Sequence, residues 1–215
     1  MIMGADEAGR GPVLGNMVLC GALFDPRTLE ELRSIGVRDS KQLSPRRREE
    51  LARVIAAKAR GLVIVELTPA EIDDCRLVKK VNLNELEART FAGMIDRLRP
   101  EVVYLDSPDP NPKLFEQRVR KYLSTSPRIV VENFADCKYP AVAAASIVAK
   151  VRRDQCIAEL RRRYGDLGSG YPADPVTISF LRNWVREHGR LPDFVRRSWE
   201  TARRIEEELR QGRLG

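Results

Sequence analysis

Histidine is almost absent from this chain: His188 stands alone among 215 residues. Zinc and haem sites draw heavily on imidazole, so both are discounted. Cysteine is sparse too. Cys20, Cys75, Cys137 and Cys156 are scattered without the spacing of a metal site, which reads as inert thiols in a reducing, cytoplasmic setting. Nowhere does an apolar run reach the about 18 residues that a membrane helix needs. A basic n-region followed by an apolar h-region is also missing, so no secretory leader and no membrane partner are expected. Aromatics make up 6% of the chain, but hydrophobic residues reach 43%, enough to build a core. There are no internal repeats and no low-complexity tract.

Charge is plentiful. The formal net charge is +7, and it is unevenly spread. Residues 150–215 carry 15 Lys/Arg against 10 Asp/Glu, a net of +5, and residues 1–149 carry 23 against 21, a net of +2. A polyanionic partner would lean on the last third; a plain solvated basic surface is the alternative. Charged residues at 32% beside few aromatics also hint at a thermophile.

The pattern along the chain predicts a mixed α/β protein. Ile2 to Asp6 reads as a strand, and Val13 to Phe24 as a long second one interrupted by Gly15 and Gly21. A short helix through Leu29 and Leu32 follows. Ser44-Pro45 is a helix start, with serine as cap and proline in the first turn. Leu62 to Leu67 alternates like a strand, and Thr68-Pro69-Ala70-Glu71 has the spacing of a capping box. Helical periodicity runs from Leu83 to Leu98, Val102 to Leu105 is a compact strand, Leu114 to Leu123 a helix, and Ile129 to Val131 a strand. Pro140 to about Tyr164 predicts a long helix whose alanine-rich start packs tightly on the sheet. The expected organisation is a core over 1–165, a Gly-rich link through Gly165, Gly168 and Gly170, and a helical basic appendage over 174–215, built from helices near 174–188 and 198–211.

Chemistry concentrates in Asp6-Glu7-Ala8-Gly9-Arg10-Gly11. Two carboxylates end an apolar run and lead into an arginine flanked by glycines. Carboxylates bind hard divalent cations and activate water. Glycines let backbone N–H groups approach a phosphate or sugar closely. Metal chemistry beside a grip on a phosphate backbone points to a nuclease. Asp106 ends another apolar strand, and Asp136 follows Asn133-Phe134-Ala135. Ligands of open α/β sheets gather beyond the carboxyl ends of strands, so Asp6, Glu7, Asp106 and Asp136 are the candidate ligands. An oxygen-only set suits Mg²⁺ or Mn²⁺. Each aspartate alone could equally cap a helix or turn. Neighbours on a strand point to opposite faces, so Asp6 and Glu7 share one site only if the strand bends or ends at Glu7.

Weaker candidates surround this set. Lys41, in Asp39-Ser40-Lys41, and Lys138 could contact phosphate or belong to plain polar loops. Lys150 and Arg153 lie one turn apart on the long helix, as a solvated face or a backbone-binding stripe. Tyr171 sits among glycines, where it could stack on a base or sugar or plug a gap in the core. Trp199 with Arg196-Arg197 could act similarly, though tryptophan at a helix start usually packs. His188 precedes Gly189 and is expected to end a helix.

These motifs resemble the type 2 ribonuclease H family, ribonuclease HII, in its archaeal form. The resemblance rests on Asp6 to Pro12, Asp39-Ser40-Lys41, Leu83-Asn84, Leu105-Asp106, Ala135-Asp136, Ala145 to Lys150 with Arg153-Asp154, and Gly170-Tyr171-Pro172. They come in the family's order and cover residues 1 to 172; Arg197-Ser198-Trp199 is similar to the archaeal C-terminal region. The resemblance implies a ribonuclease H-like mixed sheet flanked by helices. It implies endonucleolytic cleavage of RNA in RNA–DNA hybrids and cutting at a single ribonucleotide in duplex DNA, by two-metal hydrolysis leaving 5′-phosphate and 3′-hydroxyl ends. It maps the catalytic carboxylates onto Asp6, Glu7, Asp106 and Asp136, the reader of the ribose 2′-hydroxyl onto Gly9, Arg10 and Gly11, and the residue stacking on the next deoxyribose onto Tyr171. Lys41, Asn84, Lys138 and Arg153 would be further nucleic-acid contacts. A monomer is expected, and no sliding-clamp peptide stands out in Gln211-Gly212-Arg213-Leu214-Gly215.

Two rivals remain. A phosphatase or nucleotidyl transferase could use the same carboxylates. A non-catalytic binder would lean on the basic tail, but four carboxylates would then only repel the phosphates.

Overall fold

The apolar N-terminal run forms strand β1, Ile2–Ala8, in the computed structural model, which describes residues 1–38 and 43–212. It lies in a five-stranded sheet with β2 (Met17–Phe24), β3 (Gly61–Leu67), β4 (Val102–Asp106) and β5 (Arg128–Glu132), in the order β3-β2-β1-β4-β5. β1 runs antiparallel to β2, from Ile2 opposite Phe24 to Ala8 opposite Val18. It runs parallel to β4, with Ile2 beside Val102 and Ala5 beside Leu105, and β4 is parallel to β5. The sheet is therefore mixed, and helices flank it.

Nine helices are described: α1 (Pro26–Ser34), α2 (Pro45–Lys58), α3 (Pro69–Asp73), α4 (Leu83–Leu98), α5 (Pro112–Tyr122), α6 (Ala135–Lys138), α7 (Pro140–Tyr164), α8 (Pro175–His188) and α9 (Glu200–Arg210). Local chemistry sets their starts. Ser44 caps α2 by accepting from the Arg47 N–H. Thr68 and Glu71 form the expected reciprocal box on α3, which runs on into a π-helical turn, Asp74–Val78. His188 ends α8, and Gly189 follows it in the left-handed region with φ 68°.

The second strand is shorter than its sequence suggests. It starts at Met17, and of the preceding stretch only Leu14 forms a bridge, to Val195. Gly15 has φ 77°, which breaks an extended run. Backbone groups of this stretch bond elsewhere: Val13 N–H to the Gly170 carbonyl and Gly15 N–H to that of Phe194.

The chain divides into two compact units. One holds Met1–Ala8, Val18–Glu66 and Asn82–Arg152. Its core sets Val18, Cys20, Ala22 and Phe24 of β2 against Ala141, Ala144, Ala145 and Ala149 of α7. Small residues allow this approach. A Cβ on Gly4 would lie 2.0 Å from the Ala141 carbonyl carbon. The other unit holds Gly9–Met17, Leu67–Val81 and Arg153–Gly215, around Val13, Leu14, Leu181, Val185, Val195 and Ile205. A linear division near residue 165 thus differs from these units: two earlier segments and the end of α7 join the C-terminal helices. Among the described residues no helix is long and apolar enough to cross a membrane.

Candidate active site

Register brings the first two carboxylates together. Ala5 pairs with Leu105, so the next positions on the two parallel strands are Asp6 and Asp106. Adjacent strands lie about 4.8 Å apart, and residues in register share a face. Asp6 is 5% exposed. One of its oxygens accepts from the Glu7 N–H at 2.8 Å, and the Ser146 hydroxyl of α7 also bonds it. Burial first, then the charges of Glu7 and Asp106, push its carboxyl well above the usual carboxylate range.

The turn after β5 carries Asp136 to the same strand ends. Phe134 adopts a left-handed backbone with φ 59°, and α6 begins immediately. Its first N–H, on Ala135, donates to Asp106 Oδ1 at 2.6 Å. Asp136 follows, 4% exposed. Glu7 stands differently. β1 continues through Ala8, so it does not end at Glu7. Gly4, Asp6 and Ala8 face α7, whereas Met3 lies near Gly21 and Met94 on the other side; an ideal pleat would set Glu7 with Met3, but the Glu7 charge acts on Asp6 more strongly than that of Asp106. Among the described residues no three such side chains stand at metal-ligand spacing.

The other candidates of this unit already have partners. Asn84 donates to Asp109 at 2.8 Å, and Asp109 also binds Arg118. Lys138 is ion-paired with Glu132, the residue in register with Asp106. Lys41 lies outside the described residues.

The glycine-arginine-glycine loop belongs to the second unit and is held by its carbonyls. Arg196, fully buried, donates from Nη2 to Gly9 at 2.7 Å, from Nη1 to Arg10 at 3.1 Å and from Nε to Gly15 at 2.9 Å. Trp199 Nε1 donates to the Gly11 carbonyl at 3.1 Å. Gly9 has φ 80°, and a Cβ there would meet Arg153 and the Asn16 carbonyl at 3.0 Å. The Tyr171 ring covers Gly11: a Cβ on Gly11 would touch its Cε1 at 3.2 Å, yet the tyrosine is 46% exposed. Arg153 is 7% exposed, so the solvated-face reading falls. Its guanidinium donates to the Ser169 carbonyl and lies 5.7 Å from the Tyr171 ring centre.

A family model described as Ribonuclease HII matches residues 3–202. The chain belongs to the ribonuclease HII family. Ribonuclease HII of Thermofilum pendens is 49% identical over 210 residues, covering 95% of this chain and 98% of that one. Ribonuclease HII of Thermococcus sibiricus is 44% identical, covering 97% and 92%. Among solved structures, ribonuclease H2 from Pyrococcus horikoshii OT3 superposes with a TM-score of 0.91 at 43% identity, covering 98% of this chain and 99% of that one. A structure of the PCNA:RNase HII complex from Archaeoglobus fulgidus gives 0.85 at 40% identity, covering 95% and 96%. As a ribonuclease HII the chain is an endoribonuclease that cleaves RNA in RNA–DNA hybrids.

The residues at the strand ends fit hard divalent cations. The donors are carboxylate oxygens whose mutual repulsion an ion would relieve. Cys20, opposite Asp6, is no competing soft ligand: burial and then the Asp6 charge push its thiol up, so it stays protonated. His188 stacks on Trp184 with ring centres 4.0 Å apart.

Sequence reasoning missed two groups. Ser146 stands out in the sequence only as part of the Ala145–Lys150 motif, yet its hydroxyl supports Asp6. Arg196, read from sequence only with Arg197 and Trp199 as a possible stacking group, is fully buried. Its placement directly after Phe194-Val195, an apolar pair, was the available signal of burial.

Proposed function

We propose that this ribonuclease HII also cuts at a single ribonucleotide embedded in duplex DNA, with Asp6, Glu7, Asp106 and Asp136 as its catalytic carboxylates and Mg²⁺ or Mn²⁺ as their ions. The observation that carries the reading is the juxtaposition of Asp6 and Asp106, the positions that follow the Ala5–Leu105 pair on adjacent parallel strands, with Asp6 buried and its carboxyl raised by burial and by neighbouring carboxylates, a repulsion that a cation would relieve. When bound, a pair of such ions supplies the Lewis acidity of a two-metal hydrolysis that leaves 5′-phosphate and 3′-hydroxyl ends.

The chain's own groups supply the rest. Asp6 is oriented by the Glu7 N–H and the Ser146 hydroxyl, and Asp106 by the Ala135 N–H. Pre-set orientation removes reorganisation from the barrier. Gly9, Arg10 and Gly11 read the ribose 2′-hydroxyl, the one group that separates the two sugars. Tyr171 stacks on the deoxyribose that follows. Asn84, Lys138, Arg153 and Lys41 act as supporting contacts. Asn84 and Lys138 would share their present partners, Asp109 and Glu132, with the substrate. The protein acts as a monomer.

Asp6→Asn and Asp106→Asn test this reading. Each should lower the cleavage rate on both a hybrid and a single-ribonucleotide duplex by about a thousandfold or more, while binding persists. Asp6→Asn should also raise the thermal midpoint of the metal-free protein. The sign follows from the raised Asp6 carboxyl: once ionised it costs the folded state, and the amide removes that cost. For a chain of this size the gain is roughly 2–4 °C per kcal/mol relieved. A variant keeping a tenth of wild-type turnover at saturating Mg²⁺ would remove that residue from the site. Release of phosphate from a small phosphomonoester, without fragments from a hybrid, would favour a phosphatase instead.

A further inference from the structure

Arg196 is a cation fully buried in its unit, and three of its nitrogens donate to carbonyls of one short loop, those of Gly9, Arg10 and Gly15. Trp199 takes the Gly11 carbonyl. Three consecutive carbonyls, of residues 9, 10 and 11, are thus drawn towards one pair of side chains. A trans peptide is planar, and its N–H points opposite to its C=O. Turning the Gly9 and Arg10 carbonyls onto Arg196 therefore turns the N–H groups of Arg10 and Gly11 away from it. The third peptide leads into Pro12, which has no N–H. The loop thus presents two adjacent donors on one side, where the Tyr171 ring covers Gly11.

The clasp is itself braced. Asp73, at the end of α3, accepts the N–H groups of Arg197 at 2.7 Å and Ser198 at 2.9 Å. The guanidinium carbons of Arg76 and Arg196 lie 4.8 and 4.9 Å from the Trp199 ring centre. The Arg196 backbone N–H donates to Val13 at 2.9 Å, which ties the arginine to the far end of the same loop. A fork with donors in fixed directions suits this task; a lysine offers one point charge and cannot reach three carbonyls in different directions.

We propose that Arg196, seconded by Trp199, is a positioning residue for ribose recognition: by binding the loop's carbonyls it aims the Arg10 and Gly11 N–H groups at the 2′-hydroxyl. This rests on the reading of the loop as the 2′-hydroxyl reader. Arg196 acts through the backbone it holds, and the specificity for a ribose depends on it.

The experiment measures binding in an Asp106→Asn background with Mg²⁺ present, so that nothing is cut. Two duplexes are compared, one with a single ribonucleotide and one of DNA alone, and their affinity ratio is the readout. A fold defect lowers the active fraction and leaves the ratio unchanged, whereas a misaimed loop lowers the ratio. Arg196→Lys should reduce it by about 10- to 100-fold, the range expected when recognition groups shift by about 1 Å. Trp199→Phe keeps the ring and loses one donor, and should reduce it by roughly fivefold. It also serves if the lysine variant does not fold. Gly11→Ala, which drives a methyl against the Tyr171 ring, reports on the loop itself. A ratio lowered by Gly11→Ala but unchanged by Arg196→Lys and Trp199→Phe would overturn the positioning role and leave the reader intact. A ratio unchanged by all three would overturn the reader, and the positioning role with it.

Discussion

At the scale of single residues, position matters more than type. Asp6 and Asp136 are 5% and 4% exposed and held by backbone geometry, whereas Lys138 reaches out only as far as Glu132. Tyr171 is the exposed member of its group, with its ring over Gly11 and the Arg153 guanidinium beside it. Stacking on a base or sugar is worth about 1–3 kcal/mol, or roughly 5- to 150-fold. Tyr171→Ala should lose that factor on a single embedded ribonucleotide. It should lose less on a continuous hybrid, where the following sugar carries a 2′-hydroxyl and stacks less well. The measurement is the ratio of turnover on the two substrates. An equal loss on both would make Tyr171 a prop of its loop.

Among elements, caps and turns set the active geometry. Asp174 opens α8 by accepting from the Val176 N–H, and it also accepts from the Ser169 N–H and hydroxyl. Those bonds, the Ser169 N–H first, lower its carboxyl to about 2. A lowered carboxyl stabilises the fold above its unfolded value of about 3.9, and that stability is lost as pH falls through the folded value. Protection of the Ser169 amide against hydrogen exchange should therefore fall between about pH 4 and pH 2, the two pKa values that bound the window. Asp174→Ala should abolish the step. A step unchanged in the variant would assign it to another carboxylate. Helix boundaries such as Leu83–Leu98 and Pro140–Tyr164 were legible because periodicity and prolines mark them. The start of β2 was not, because Val13 and Leu14 are apolar like a strand but bond to distant segments.

For the whole molecule, the basic C-terminal third is more than an electrostatic arm. Its charge is real, and affinity for a polyanion should fall with salt. But Val195, Arg196 and Trp199 also carry the bonds that shape residues 9–15. A chain ending at Pro172 should therefore lose cleavage of a hybrid by at least about 100-fold, beyond any change in salt slope. Circular dichroism would check that the truncated chain folds. A folded truncate that cuts at the full-length rate, with only a shallower salt dependence, would make residues 174–215 a detachable appendage.

The sequence alone determined the strand-end carboxylates, the helix caps and the family, because each is written in a few neighbouring residues whose chemistry is local. A donor inventory with one histidine and many carboxylates also pointed to hard cations. Tertiary structure decided the rest. Register between β1 and β4, separated by about a hundred residues of chain, made neighbours of Asp6 and Asp106. The fold carried β1 on through Ala8, past Glu7. The burial of Arg196 against carbonyls more than 180 positions away made it the clasp of the loop. Long-range pairing depends on which segments pack together, and no local pattern of residues encodes that.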